Sequence, residues 1–144
     1  MRSCKELADA IMKFLKDNDI ALDVSIYVDN KRYSFTYYDF DKKEFFPDPF
    51  WKEEEGEFFP GTYFSYFAKQ HILSMSFEGD FYRIMNVAYE NDEWKDLYNK
   101  FRQLLDNMGV WYELGDAWNL TVFPLNNNYD EWDYTDYRKG VDLL

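Results

Sequence analysis

Two runs of strict alternation, separated by two residues, constrain this chain more than any other feature. Leu22, Val24, Ile26 and Val28 alternate with other residues up to Asp29-Asn30, and Tyr33, Phe35 and Tyr37 then alternate again. A period of two marks a strand with one face buried, and Asp-Asn tolerates the positive φ of a tight hairpin turn. Pairing across that turn sets Ile26 opposite Tyr33, Val24 opposite Phe35 and Leu22 opposite Tyr37. Register and pattern agree, because all these apolar partners then share one face.

The rest of the chain changes period. Leu7, Ile11, Phe14 and Leu15 form one stripe of a helix, with Ser3 as N-cap, Glu6 completing a capping box and Asp17-Asn18-Asp19 ending it. Trp94, Leu97, Phe101, Leu104 and Leu105 mark a second long helix that stops near Gly109. Val110 to Leu114 and Trp118 to Phe123 make another hairpin around Gly115-Asp116. Between these units, Ile72 to Phe77 reads as a strand and Phe81, Ile84, Met85, Ala88 and Tyr89 as a short helix capped by Asp80. Thr62 opens a further short helix carrying Tyr63, Phe64, Phe67 and Ala68. The expected fold is α+β, an antiparallel sheet of about five strands with helices packed on one face. Val24, Ile26, Phe35, Ile11, Phe14, Phe101 and Leu104 are expected in one core. Residues 1–125 form a single domain in this reading, and 126–144 an acidic aromatic tail packed on it.

Leu7, Ile11, Phe14, Leu15 and Ile20 recur as Leu97, Phe101, Leu104, Leu105 and Val110, each displaced by 90 residues. Duplication of a helix-hairpin unit would produce this echo, and so would the shared period of two amphipathic helices.

Composition bears on what such a domain does. Trp, Tyr and Phe number 5, 13 and 14, or 22% of the chain. Thirteen tyrosine hydroxyls cannot all be buried with partners, so part of this aromatic content is expected on a binding surface. The charge is −12, from 16 basic and 28 acidic residues, which repels phosphates and anionic lipid headgroups and attracts basic proteins. Direct nucleic-acid binding and membrane association are therefore not expected. The single cysteine, Cys4, precludes an internal disulfide. No signal-peptide pattern opens the chain and no apolar run approaches the ~20 residues of a membrane helix. A cytoplasmic protein is expected.

Motifs for chemistry are missing. One histidine, His71, and one cysteine cannot supply a zinc site. The glycines are isolated and cradle no phosphate. Asn126, Asn128 and Asp130 fit the first ligands of a calcium loop, but Glu131 stands where its glycine is required and Tyr137 where its closing glutamate is. Glu78 and Asp80 flank Gly79 at a strand end, where turn formation and helix capping explain them better than paired-carboxylate catalysis. Neither enzyme activity, nor a metal, nor a cofactor is expected.

Asp39 to Gly61 reads as a long irregular stretch broken by Pro47, Pro49 and Pro60, in which acidic residues outnumber basic ones and Phe45, Phe46, Phe50, Trp51, Phe58 and Phe59 are threaded. The candidate partner-binding residues lie here and in the tail: Trp51, Glu53, Glu54, Glu55 and Glu57, joined by Asp130, Glu131, Trp132, Asp133 and Asp136. Carboxylates there would stand in for phosphates and exposed rings would anchor.

Trp118-Asn119-Leu120-Thr121-Val122, with Tyr129, Asp133, Tyr134 and Asp136, resembles the end of YezG-type antitoxin or immunity proteins, in which a helix precedes a Trp-x-Leu-Thr strand and an Asp/Tyr-rich finish. The resemblance covers Glu93 to Tyr137, whereas Asp39 to Tyr89 departs from it. It implies a small acidic protein that binds and neutralises a nuclease toxin. Size, acidity and aromatic content are also similar in kind to phage-encoded inhibitors of CRISPR or restriction nucleases. The function expected is an acidic inhibitor that blocks a basic nucleic-acid-processing enzyme, with an aromatic-lined ligand- or carbohydrate-binding module as the alternative.

Overall fold

The computed structural model describes residues 1–56, 58–64 and 67–138. A two-residue strand, β1 (Arg2–Ser3), leads into helix α1 (Cys4–Asp17), and β2 (Val24–Val28), β3 (Lys31–Asp39) and β4 (Glu44–Glu55) follow. A single turn of helix, α2 (Pro60–Tyr63), precedes β5 (Gln70–His71) and β6 (Leu73–Phe77). Helices α3 (Gly79–Val87) and α4 (Asp92–Asn107) precede the hairpin of β7 (Val110–Leu114) and β8 (Asn119–Pro124). The short strands β9 (Trp132–Asp133) and β10 (Thr135–Asp136) come last. The fold is α+β.

The main sheet has six antiparallel strands in the order β4-β3-β2-β6-β8-β7, one more than expected. The extra strand is β4, drawn from the stretch read as irregular. Pro47 and Pro49 suggested a break there, but β4 lies on the edge of the sheet, where a missing N–H costs no ladder bond on its free side. The prolines sit where the β3–β4 register shifts, between Thr36↔Phe50 and Tyr38↔Phe45. Four residues of β4 there oppose Tyr37 alone, and the strand bulges past them.

The first hairpin has the expected register, with Ile26↔Tyr33 as cross-strand partners. Asp29 and Asn30 take φ of 53° and 60°, the paired positive values of a type I′ turn. The pairing is shorter than expected at its open end. Asp23 turns the chain at φ 62°, so β2 starts at Val24 and Leu22 stands 41% exposed outside the sheet.

Alternation gives the sheet two unlike faces. Val24, Ile26, Leu73, Met75, Phe77, Leu120 and Val122 point to one side, against Leu7, Ile11 and Leu15 of α1, Phe81 and Ile84 of α3, and Phe101 and Leu105 of α4. Phe101 sits at the meeting point, with ring centres 5.1 Å from Phe81 and 6.1 Å from Phe14. Phe14, Phe35 and Leu104 are only partly buried at the margin of this core. Ser3 caps α1 by accepting the N–H of Glu6, and Asn91 caps α4 by accepting those of Glu93 and Trp94. Helix α3 starts at Gly79, so Asp80 lies in its first turn and pairs with Arg83 at 3.3 Å instead of capping it. Thr62 likewise lies inside α2, which opens on Pro60.

The opposite face carries Ser25, Ser34, Ser74, Ser76, Thr121 and Tyr27. Phe58, Tyr63 and Phe64 converge on Tyr27, with ring centres 5.1 to 6.5 Å away. His71, 1% exposed, bonds Ser74 through Nε2 at 2.8 Å, and Ser74 bonds Thr121 at 3.3 Å.

The C-terminal segment straps from the N-terminal strand to the middle of the chain. Trp132 and Asp133 pair in parallel with Arg2 and Ser3, and Thr135 and Asp136 pair with His71 and Gln70. Tyr137 donates from its hydroxyl to Asn30 Oδ1 at 2.9 Å.

The 90-residue echo has matching burial, since Leu7/Leu97, Ile11/Phe101, Leu15/Leu105 and Ile20/Val110 are all buried. Strand order does not repeat, however. The first strand after α1 neighbours β6, but after α4 it is the second strand that does. Common helical spacing accounts for the echo without duplication.

Candidate functional site

The β3–β4 hairpin is longer than the sheet it belongs to. Strand β2 meets β3 only between Ser25↔Ser34 and Val28↔Lys31, while β3 and β4 continue to Asp39↔Glu44. The far half of the hairpin is therefore an arm whose strands pair with each other alone. Its two ends, roughly 27 Å apart at 3.3 Å per residue over Lys31 to Asp39, have different chemistry.

At the near end, acidic residues gather around the Asp29-Asn30 turn. Lys31 lies 3.6 Å from Glu53 and 4.0 Å from Glu55, and Arg32 makes a charge-assisted bond to Glu54 at 2.5 Å. Tyr33 donates its hydroxyl to Glu53. That bond holds the Glu53 carboxyl below its usual range, with Lys31 and Lys5 adding to the effect. Asp29 shows the opposite shift, because burial and the nearby Asp133 both push its carboxyl up. Asp133 thus brings the tail to the same turn as Glu53 and Glu55. Asp9 is ion-paired there with Lys5.

At the far end the chemistry is aromatic. Phe40 and Phe45 are 81% and 70% exposed, the most exposed rings of the hairpin. Tyr38 packs edge-on against both, with centre distances of 4.9 Å to Phe40 and 5.0 Å to Phe45. Asp39 and Glu44 face one another across the ladder next to this cluster. Asp41, Lys42 and Lys43 complete the turn, and Asp39 Oδ1 accepts the N–H groups of Asp41 and Lys42.

The expected partner-binding residues divide between these surroundings and the core. Glu53 and Glu55 are exposed and Glu54 half-buried, all three with basic neighbours, so they form a mixed-charge strip. Trp51 is half-buried, edge-on to Phe35 at 5.1 Å, and bonded through its indole to Met12 of α1. Trp132 is 3% exposed beneath Arg2, whose guanidinium lies 5.7 Å from the ring centre, so its ring is part of the core and not a free anchor. Asp130, Glu131 and Asp133 are exposed, and Asp136 is half-buried against Arg138 at 2.8 Å. Glu57 lies outside the described residues. Phe40 and Phe45 are exposed rings that the sequence reading did not single out, and Tyr89, read there as part of a helical stripe, is 70% exposed as well. The signal for the two Phe rings was a charged turn from Asp39 to Glu44 that follows Tyr37-Tyr38, with one Phe inside it and another just after it.

Cys4 is 1% exposed, and burial together with Asp29 and Asp133 pushes its thiol up to about 12. A thiol held protonated is a poor nucleophile and a poor ligand. Burial lowers His71 to about 3, so its imidazole is neutral at pH 7. Among the described residues no group of three or more His, Cys, Asp or Glu side chains could hold a metal ion, and no helix is long and apolar enough to cross a membrane.

These features define an α+β protein with a six-stranded antiparallel sheet and a projecting aromatic hairpin. Against protein-family models, curated proteins and solved structures the chain shows no match.

Proposed function

We propose that this chain is an acidic inhibitor that occupies the basic nucleic-acid groove of an enzyme, in the manner of an immunity protein or a phage anti-defence protein. The observation that carries the reading is the β3–β4 edge, which joins a carboxylate-rich turn to an arm of exposed aromatic rings. Charge at one end steers a basic partner, and rings at the other slow its release. The roughly 27 Å span between them covers about eight nucleotide steps at 3.4 Å per strand, a length suited to a groove built for a nucleic-acid strand.

The experiment is capture of a partner from host lysate, followed by association kinetics at rising salt. Association that slows steeply with salt, and a partner with nuclease or other nucleic-acid-processing activity that falls on binding, support the reading. An acidic partner, or a rate indifferent to salt, defeats it.

A ligand-binding module is favoured by one observation. Ser25, Ser34 and Ser76 floor a pocket of about 380 Å³ beside Trp118, which is 41% exposed. Saturable quenching of Trp118 by neutral sugars would favour this second reading.

A further inference from the structure

Asp39 and Glu44 are direct cross-strand neighbours at the end of the arm. Like charges in that position repel and weaken a hairpin, where an opposite pair would have strengthened it. Among the described residues neither carboxylate has a salt bridge to Lys42 or Lys43, although both lysines lie in the same turn. Asp39 uses one oxygen for the turn and leaves the other open. Beside the two carboxylates stand Phe40 and Phe45, mostly exposed and packed edge-on around Tyr38. Tyr37 also stacks against Phe45, with ring centres 6.4 Å apart, so the more open ring surface is that of Phe40, and an open aromatic face attracts a cation.

We infer that the arm tip is a docking surface for an arginine side chain of a basic partner protein, with the guanidinium lying on Phe40 or Phe45 and bonding Asp39 and Glu44. Charge complementarity selects a cation for the facing carboxylates. The rings select arginine over lysine, because a planar, weakly hydrated guanidinium stacks on an aromatic face while presenting donors in its own plane. A compact ammonium loses more hydration to do the same. The inference rests on the inhibitor reading for its partner, but its chemistry is testable without one.

The probes are nona-arginine and nona-lysine peptides, titrated at low salt into the full ¹⁵N-labelled chain. Amide signals from Tyr38 to Phe45 should move with nona-arginine, which should bind roughly five-fold tighter than nona-lysine. The double variant Phe40→Ala, Phe45→Ala should lose that preference while retaining its thermal midpoint, since both rings lie outside the core. Asp39→Asn with Glu44→Gln should weaken both peptides. Equal affinity of the two peptides for the unaltered chain, or a preference that survives loss of both rings, overturns the inference. So does movement confined to signals around Asp29 and Glu53. If the arginine preference holds but a captured enzyme keeps its nucleic acid, the inhibitor reading fails and the clamp stands. If displacement of nucleic acid is unaffected by removal of both rings, the clamp fails alone.

Discussion

Trp51 donates its indole N–H to the carbonyl oxygen of Met12 at 3.2 Å, so the outermost strand closes directly onto helix α1. Lys16 and Asp48, 3.7 Å apart, add a second, exposed link along the same seam. The base of the arm is thereby tied to the helical layer while its tip stands free. Trp51→Ala should lower unfolding free energy by about 2 kcal/mol, less than a fully buried tryptophan because the ring is only half-buried. Trp51→Phe, which loses mainly the hydrogen bond, should cost about 1 kcal/mol. Urea denaturation of both variants checks the order. Equal stability of all three proteins would mean the link carries no load.

Acidification should weaken the fold before most carboxylates titrate. His71 is held neutral by burial, down to about 3, whereas in the unfolded chain it titrates near 6.5. Between those values the unfolded chain binds a proton that the folded one refuses, so stability falls as pH drops and recovers as it rises. The slope approaches about 1.4 kcal/mol per pH unit just below pH ~6. Urea midpoints measured from pH ~6.5 to ~5 should show that slope, and His71→Gln should flatten it.

Glu54 is the member of the acidic strip most committed to structure. Arg32 bonds its carboxylate through both Nε and Nη2, and the guanidinium also lies 5.1 Å from the Phe58 ring centre. Glu54→Lys sets two cations across the ladder and should cost about 1 kcal/mol. Reversal of Glu53 and Glu55 with Glu54 left in place therefore tests affinity more cleanly than reversal of all three. Thermal melts of the single and triple reversals check this.

Cys4 should resist thiol reagents in the native state. Its sulfur donates to the backbone oxygen of Asp133 at 3.2 Å beneath the C-terminal strap, and its thiol is protonated at pH 8. Labelling with a colourimetric disulfide reagent should be negligible in buffer and complete in denaturant. Rapid native labelling would show that the strap opens.

What the sequence disclosed was what is local. Ile26 and Tyr33 could be paired from seven residues of separation because alternation and an Asp-Asn turn agree. The helix stripes and the Ser3 cap were legible for the same reason. Strand β4 was not, because prolines signal a break in any central strand and only the finished sheet shows that this one lies on the edge. Trp132 looked like a surface ring because its neighbours are acidic. Its burial depends on Arg2 and Ser3 at the other end of the chain, a contact no local pattern announces. The acidic residues of the candidate site were visible as a composition. Their pairing with Lys31 and Arg32 was fixed by β3–β4 register, and with it which carboxylates remain free.

The most direct test of the inhibitor account is competition at the partner's groove. A captured enzyme bound to fluorescent nucleic acid is titrated with this chain while anisotropy is followed. Release of the nucleic acid in proportion to the enzyme occupied, weakened by high salt, is the expected result. Enzyme that binds this chain and nucleic acid at once, with no loss of anisotropy, would contradict it.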